Sequence, residues 1–177
     1  MNPVTDETPV LQRAMSFAPT RWLLEYGRFD VRPPHSQPVR SRLAAAVVAS
    51  VVGSLVADAL LVAIGTVIFP STRGYVHFQF SDYASLTIVG VLIACAGWPV
   101  VTRLSAAPRW VFLRLAVLAS AVLLLPDLAI LYLGAPVQAV LVLVFMHAAI
   151  AVVTYNALVR LAPAHGLALS PGQGRQR

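Results

Sequence analysis

The chain has no lysine and a single cysteine, Cys95, and only 11% of its 177 residues are charged. One cysteine excludes a disulfide framework, a CxxC redox pair and a thiolate zinc site built from this chain. The sequence also lacks a GxSxG elbow, an HExxH helix and a Walker loop, which are common signatures of hydrolases, metalloproteases and nucleotide-binding proteins. We therefore expect no catalytic residues, no metal and no cofactor.

Apolar residues are abundant instead, since 58% of the chain is hydrophobic and the mean hydropathy is +0.76, outside the usual range for a soluble domain. A membrane-spanning helix needs about 20 mainly apolar residues. Four stretches qualify, at 43–69, 84–101, 110–133 and 136–161. The sequence thus predicts an all-α bundle of four transmembrane helices with short loops. The first stretch starts too late and is too long for a cleavable signal peptide, so we expect a retained signal anchor.

The arginines lie almost entirely on one side of these stretches. They precede the first stretch, lie in or near the link between the second and third, or lie at or beyond the end of the fourth, and Arg73 alone lies in the other two links. Because cytoplasmic loops are enriched in basic residues, this bias predicts a plasma (inner) membrane protein with both termini in the cytoplasm. The net charge of +6 follows that topology and forms no basic patch with stacking aromatics, so we expect no nucleic-acid partner.

The regions outside the four stretches give weaker predictions. Residues 1–40 form a cytoplasmic tail that mixes proline and arginine with bulky apolar side chains. Within it, segment 20–29 fits either a short helix on the inner leaflet or a mobile tail, and both interpretations stay open. The transmembrane domain covers 41–162, and the cytoplasmic tail 163–177 is expected to be disordered.

The link between the first and second stretches and the link between the third and fourth, both expected outside the membrane, predict different local structures. In the first, Val76, Phe78 and Phe80 alternate with other residues, and this period of two predicts an extended segment. We expect the next two residues, Ser81 and Asp82, to cap the second helix. In the second outer link, Gly134 followed by Pro136 predicts a tight turn between antiparallel neighbours.

Three ionisable residues lie well inside the predicted helices: Asp58, Asp127 and His147. Each costs about 2.5–3.5 kcal/mol if it stands alone at the centre of a spanning helix, so each needs a partner. Their positions along the helices put them within roughly 10 Å of each other in depth. We expect one polar cluster in which Asp58 and His147 touch directly or through one water. Ser54, one turn from Asp58, and Ser120, on the face of Asp127, complete the predicted cluster.

This cluster allows three interpretations. Polar contacts that simply hold helices together come first, a pathway for protons or a small solute second, and catalysis third. A b-type haem is excluded because only His147 could serve as an axial ligand within a helix. We therefore expect a non-enzymatic accessory or scaffold subunit, whose partners are the lipid bilayer and either another membrane protein or a second copy. The alternative is a small proton-coupled transporter that uses Asp58, with Asp127 and His147 as its partners.

Several positions together resemble a known pattern. These are the arginine-led first helix with a polar residue midway (Arg40, Arg42, Asp58), the link 103–109 with Pro108, the pair Ser120 and Pro126, and the run Phe145, Met146, His147. Over residues 40–163 the chain resembles a family of small four-helix membrane proteins of unknown function from actinobacteria. That family more often has an amide near the position of Asp58. The resemblance implies the four-helix fold and no activity, cofactor or catalytic residue.

Overall fold

The computed structural model describes residues 35–166, which form an all-helical bundle. Its long helices are α1 (Arg40–Ile68), α2 (Phe80–Leu104), α3 (Pro108–Tyr132) and α4 (Val137–Leu161). All four are long and apolar enough to cross a membrane. Even the helices of 25 residues are about 38 Å long, which exceeds the hydrocarbon thickness of about 30 Å. The predicted four-helix fold is confirmed, and each predicted boundary lies within about one turn of the observed one.

The bundle has two different ends. The loop end carries the links 69–79 and 133–136, and the chain end carries the start of α1, the link 105–107 and the end of α4. At the chain end, two short strands, β1 (His35–Ser36) and β2 (His165–Gly166), pair antiparallel. The segments before α1 and after α4 therefore meet at the same end of the bundle. The predicted segment 20–29 and residues 167–177 lie outside the described residues.

The link between α1 and α2 differs from its prediction. In place of an extended segment it forms two 3-10 turns, Pro70–Thr72 and Val76–Phe78. Tyr75 packs edge-on against Phe78 and against His77, with 5.3 Å between ring centroids in each case. Residues three apart lie above one another in such a turn, so the aromatic rings can pack within the link. The extended segment that the period-two pattern predicted is therefore wrong.

The start of α2 also differs from its prediction. The helix begins at Phe80, and its N-cap is Gln79, which makes no side-chain capping hydrogen bond. Ser81 and Asp82 consequently lie in the first turn and do not cap it. There the carboxylate of Asp82 is still favourable, because the N-terminal end of a helix carries partial positive charge.

The turn between α3 and α4 agrees with its prediction. Gly134 has a positive φ of 95°, which glycine adopts without steric cost, and its N–H donates to the carbonyl oxygen of Leu131. The N–H of Ala135 donates to Ile130, and Pro136 then precedes α4. This link makes α3 and α4 antiparallel neighbours, as the glycine and proline indicated.

Helix α4 makes the two most extensive interfaces of the bundle, with α1 and with α3, and it also packs against α2. Its most extensive interface is with α1, where two glycines allow a close approach. A Cβ atom at Gly65 would lie 2.7 Å from Cγ2 of Val142, and one at Gly53 would lie 2.9 Å from Cγ1 of Val153. Small residues serve this purpose in membrane bundles, where tight van der Waals packing, not a hydrophobic driving force, holds helices together.

The chain end is fastened by a buried tryptophan. Trp98 of α2 is fully buried, and its Nε1 donates to the carbonyl oxygen of Ala162 at 2.8 Å. Its ring packs edge-on against Phe112 of α3 at 5.1 Å between centroids, and Phe112 in turn stacks on Tyr155 of α4 at 6.2 Å. These contacts connect three helices near the strand pair.

The outer faces of the helices are apolar. On α1, for example, the side chains of Val52, Val56 and Leu60 are all more than half exposed. Helix α3 is the least buried of the four. Contiguous apolar surface of this extent is unfavourable in water, and the lipid interior of a membrane is the solvent that suits it.

Candidate functional site

Helix α1 contributes a row of small polar residues to the interior. Ser50, Ser54 and Asp58 follow one another four residues apart, so they share one face, and all three are 0% exposed. The hydroxyl of Ser50 donates to the carbonyl oxygen of Ala46 in its own helix at 2.7 Å. The sequence therefore places a carboxyl group and two hydroxyls against the neighbouring helices rather than against lipid.

The direct partner of Asp58 lies on α2. Thr87, which is 5% exposed, donates its hydroxyl to Oδ2 of Asp58 at 2.7 Å. The other carboxyl oxygen, Oδ1, is buried and has no hydrogen-bond partner within residues 35–166. Asp58 is thus held by a neutral donor on one oxygen only, although a buried carboxylate normally needs a counter-charge or several donors.

The second acidic residue pairs with the histidine. Oδ2 of Asp127 on α3 lies 3.0 Å from Nδ1 of His147 on α4, within ion-pair distance. The side chain of Asp127 is 7% exposed and that of His147 is 22% exposed. The two atoms are not aligned as a hydrogen bond, so the contact is electrostatic and is full strength only when the imidazole is protonated.

The two pairs belong to one electrostatic cluster. The imidazole of His147 acts on the Asp58 carboxyl, and Asp127 acts on the hydroxyl of Tyr75 in the link between α1 and α2. Burial raises the pKa of Tyr75, and the negative charge of Asp127 raises that pKa further. Tyr83 of α2 lies within electrostatic range of Asp58. The cluster therefore extends from the bundle interior to the loop end.

The structure changes the pairing that depth alone predicted. The direct partner of His147 is Asp127, and that of Asp58 is Thr87, so a direct contact between Asp58 and His147 was wrong, whereas a contact through one water stays a prediction. Depth along the membrane sets the level of a side chain, but the rotation of each helix decides which neighbour that side chain faces. The sequence indicates the depth of each side chain but not the rotation of its helix.

Ser120 lies apart from the other predicted site residues. Its hydroxyl donates to the carbonyl oxygen of Ala116 in the same helix at 2.9 Å. It is two turns, or about 10 Å, from Asp127 along α3. Sharing a helical face with Asp127 therefore does not bring Ser120 into the cluster.

Sequence reasoning missed two buried polar residues of this region, Thr87 and Thr154. Thr87 lies on α2 at the level of Asp58, and this match in level was the signal that could have found it. Thr154 on α4 is 4% exposed, and its hydroxyl finds no hydrogen-bond partner in the described part of the chain. The hydroxyl of Ser54 is likewise buried and has no hydrogen-bond partner among residues 35–166.

The groups of this site that can bind a ligand or exchange a proton are oxygen atoms and one imidazole. Among residues 35–166, no three His, Cys, Asp or Glu side chains lie close enough together to hold a metal ion. Cys95 is free and buried, and its thiol lies beside the Ser50 hydroxyl. Proton exchange, hydrogen bonding and the binding of small cations by oxygen atoms are within reach of these groups.

Comparison of the chain with protein-family models, with curated proteins and with solved structures finds no match.

Proposed function

We propose that this protein is a non-enzymatic accessory or scaffold subunit that spans the plasma (inner) membrane four times. The observation that supports this proposal best is the enclosure of Asp58, which is 0% exposed and accepts a hydrogen bond from the Thr87 hydroxyl on the neighbouring helix. A polar group in that position holds α1 and α2 in register. A transport or catalytic group needs a path to water, which a fully enclosed carboxyl does not offer.

The proposed orientation places both termini in the cytoplasm. Arg40, Arg103, Arg109 and Arg160 all lie at or near the chain end of the bundle, and Arg73 lies at the loop end. Since basic residues are enriched on the cytoplasmic side, the chain end is assigned to that side. The pairing of β1 with β2 supports the placement of the two tails together.

The accessory role is tested by flux and by cross-linking on the full-length chain. In sealed vesicles that contain the purified protein and a pH-sensitive dye, we expect no proton flux above that of empty vesicles. In native membranes, cross-linking should capture a stoichiometric complex, either with one membrane partner or with a second copy. A chain that stays monomeric and uncomplexed in its native membrane would contradict the accessory role.

A second candidate function is proton-coupled transport, and one observation favours it. His147 is partly exposed while its partner Asp127 is buried, so the ion pair connects the interior with the surroundings near Tyr75. Under this alternative the vesicles would show proton flux, and Asp58→Asn or Asp127→Asn would abolish it. Flux that both substitutions leave unchanged would point to leakage and not to transport.

A further inference from the structure

The charges inside the bundle do not balance. Asp58 and Asp127 are both buried, and the single imidazole of His147 lies directly against Asp127. The groups that face Asp58 are Thr87 and Tyr83 from α2 and His147 from α4, and only the last can carry positive charge. One imidazole cannot neutralise two carboxylates. A buried carboxylate without a counter-charge is strongly unfavourable in a membrane interior.

Two arginines of the described chain make contacts away from Asp58. Nε of Arg73 donates to the carbonyl oxygen of Thr66 at 3.3 Å at the loop end. The guanidinium of Arg114 lies over the Trp110 ring, 3.3 Å from its centroid. Among residues 35–166, the cation that acts on Asp58 is His147, so the missing positive charge would come from a bound ion.

Two buried hydroxyls next to this site differ from those of Ser50, Thr66 and Ser120. Ser50, Thr66 and Ser120 each donate to a carbonyl oxygen one turn back in their own helix, the usual arrangement in apolar surroundings. Ser54 and Thr154 do not, and both hydroxyls are buried without a partner among the described residues. Hydroxyls in this state are available to a bound molecule or ion.

These two hydroxyls and the free oxygen of Asp58 lie at neighbouring levels. Gly53 and Val153, which adjoin Ser54 and Thr154 in sequence, face each other across the interface between α1 and α4. Asp58 lies one turn further along the buried face of α1, and helical side chains lean toward the N-terminus, which directs Asp58 back toward Ser54. Three buried, unused oxygen atoms from two helices thus belong to one region of the interior.

We propose that Ser54, Asp58 and Thr154, together with Thr87, form an internal site for a dehydrated monovalent cation of the Na⁺ class. Such a cation supplies the missing positive charge and takes up the unused oxygen atoms at the same time. Hard cations prefer carboxylate and hydroxyl oxygens, and a single carboxylate matches a single positive charge better than Mg²⁺ or Ca²⁺. The alternative occupant is a proton on Asp58 together with a buried water that bonds the hydroxyls, and it would make the Tm follow pH and not Na⁺. The site does not depend on the proposed accessory role.

The test is the thermal stability of the full-length chain in lipid nanodiscs at fixed pH and ionic strength, with NaCl exchanged for choline chloride. We expect the Tm to rise with Na⁺ concentration and to saturate, because a ligand that binds only the folded state stabilises it. Asp58→Asn should remove this response. Ser54→Ala and Thr154→Val should each raise the half-saturating Na⁺ concentration by about tenfold or more, the scale on which metal sites respond to lost supporting groups.

Ser50→Ala is the matched control, because Ser50 shares the buried face of α1 and its hydroxyl is already bonded to Ala46. That variant should keep the wild-type Na⁺ response. If Asp58→Asn does not fold, the hydroxyl variants still decide the question. A Tm that is the same in NaCl and choline chloride would overturn the proposal. So would a Tm that follows pH but not Na⁺, since a proton would then neutralise Asp58, and so would hydroxyl variants that bind Na⁺ like the wild type.

Discussion

At the scale of single residues, the interior of this bundle depends on a few specific hydrogen bonds. Asp58 is 0% exposed, and its partner among the side chains of residues 35–166 is the hydroxyl of Thr87. In water such a bond would be exchanged readily for solvent. In a buried position the loss of one partner leaves the other with its full desolvation penalty, which makes the donor on α2 as important as the carboxyl itself.

Thr87→Val tests this dependence, because valine has the shape of threonine and lacks the hydroxyl. We expect the free energy of unfolding to fall by about 1–3 kcal/mol, the cost of leaving a buried polar group unsatisfied. The measurement is equilibrium unfolding in mild detergent. Thr66→Val is the control, since the Thr66 hydroxyl bonds only carbonyl oxygens of its own helix, Val62 and Ala63, and should change stability much less. Equal losses in the two variants would contradict the role assigned to Thr87.

The pairing of His147 with Asp127 can be measured with a double-mutant cycle. The variants are Asp127→Asn, His147→Gln and their combination, each compared by its free energy of unfolding. We expect a coupling energy of about 0.6 kcal/mol, with about 1.7 kcal/mol as the upper end seen for polar contacts in membrane proteins. The parallel cycle with Asp58→Asn should give a weaker coupling, because His147 reaches Asp58 only at longer range. A stronger coupling to Asp58 would restore the pairing that depth alone suggested.

At the scale of helices, the sequence predicts some features well and others poorly. The long apolar stretches predicted all four helices, because an apolar segment of spanning length has few other stable structures in lipid. The turn at Gly134 was predictable because its backbone needs a positive φ. The 3-10 turns around Tyr75 were not, since they depend on ring contacts that composition does not encode. Nor was the partner of His147, which depends on helix rotation.

The interface between α1 and α4 gives a prediction at this scale. Gly65→Ala should destabilise the bundle by about 1–3 kcal/mol, because the new Cβ would lie 2.7 Å from a methyl group of Val142, and valine has little rotamer freedom in a helix. Adding Val142→Ala should recover part of the loss. Gly90→Ala is the control, since its Cβ would meet no atom within 4 Å and alanine favours the helix. Thermal unfolding of the four proteins in nanodiscs measures the effect, and a tolerated Gly65→Ala would contradict close packing at this point.

At the scale of the whole molecule, the two ends of the bundle have different characters. The chain end is held by Trp98, by stacked rings and by the pairing of β1 with β2. The polar cluster lies in the half of the bundle nearer the loop end, where Asp127 acts on Tyr75. Because the chain end is held by these contacts and the polar cluster lies nearer the loop end, we expect a change in the charge of the cluster to affect the loop end first.

The orientation of the molecule is the last prediction, and it follows from where the arginines lie relative to these two ends. A reporter fused after Arg177 should report the cytoplasm, because the arginine-rich chain end is expected on that side. A reporter inserted at Gly74 should report the outside. Gly74 is a suitable insertion point because it is exposed, and a Cβ there would meet no atom within 4 Å.

A third insertion in the link 105–107 is the control, since it lies at the same end as the tails and must agree with the fusion after Arg177. Alkaline phosphatase, active outside, and a fluorescent protein that matures in the cytoplasm give opposite readouts at each site. Phosphatase activity from the fusion after Arg177, with fluorescence from the insertion at Gly74, would invert the proposed orientation and place Tyr75 on the cytoplasmic side.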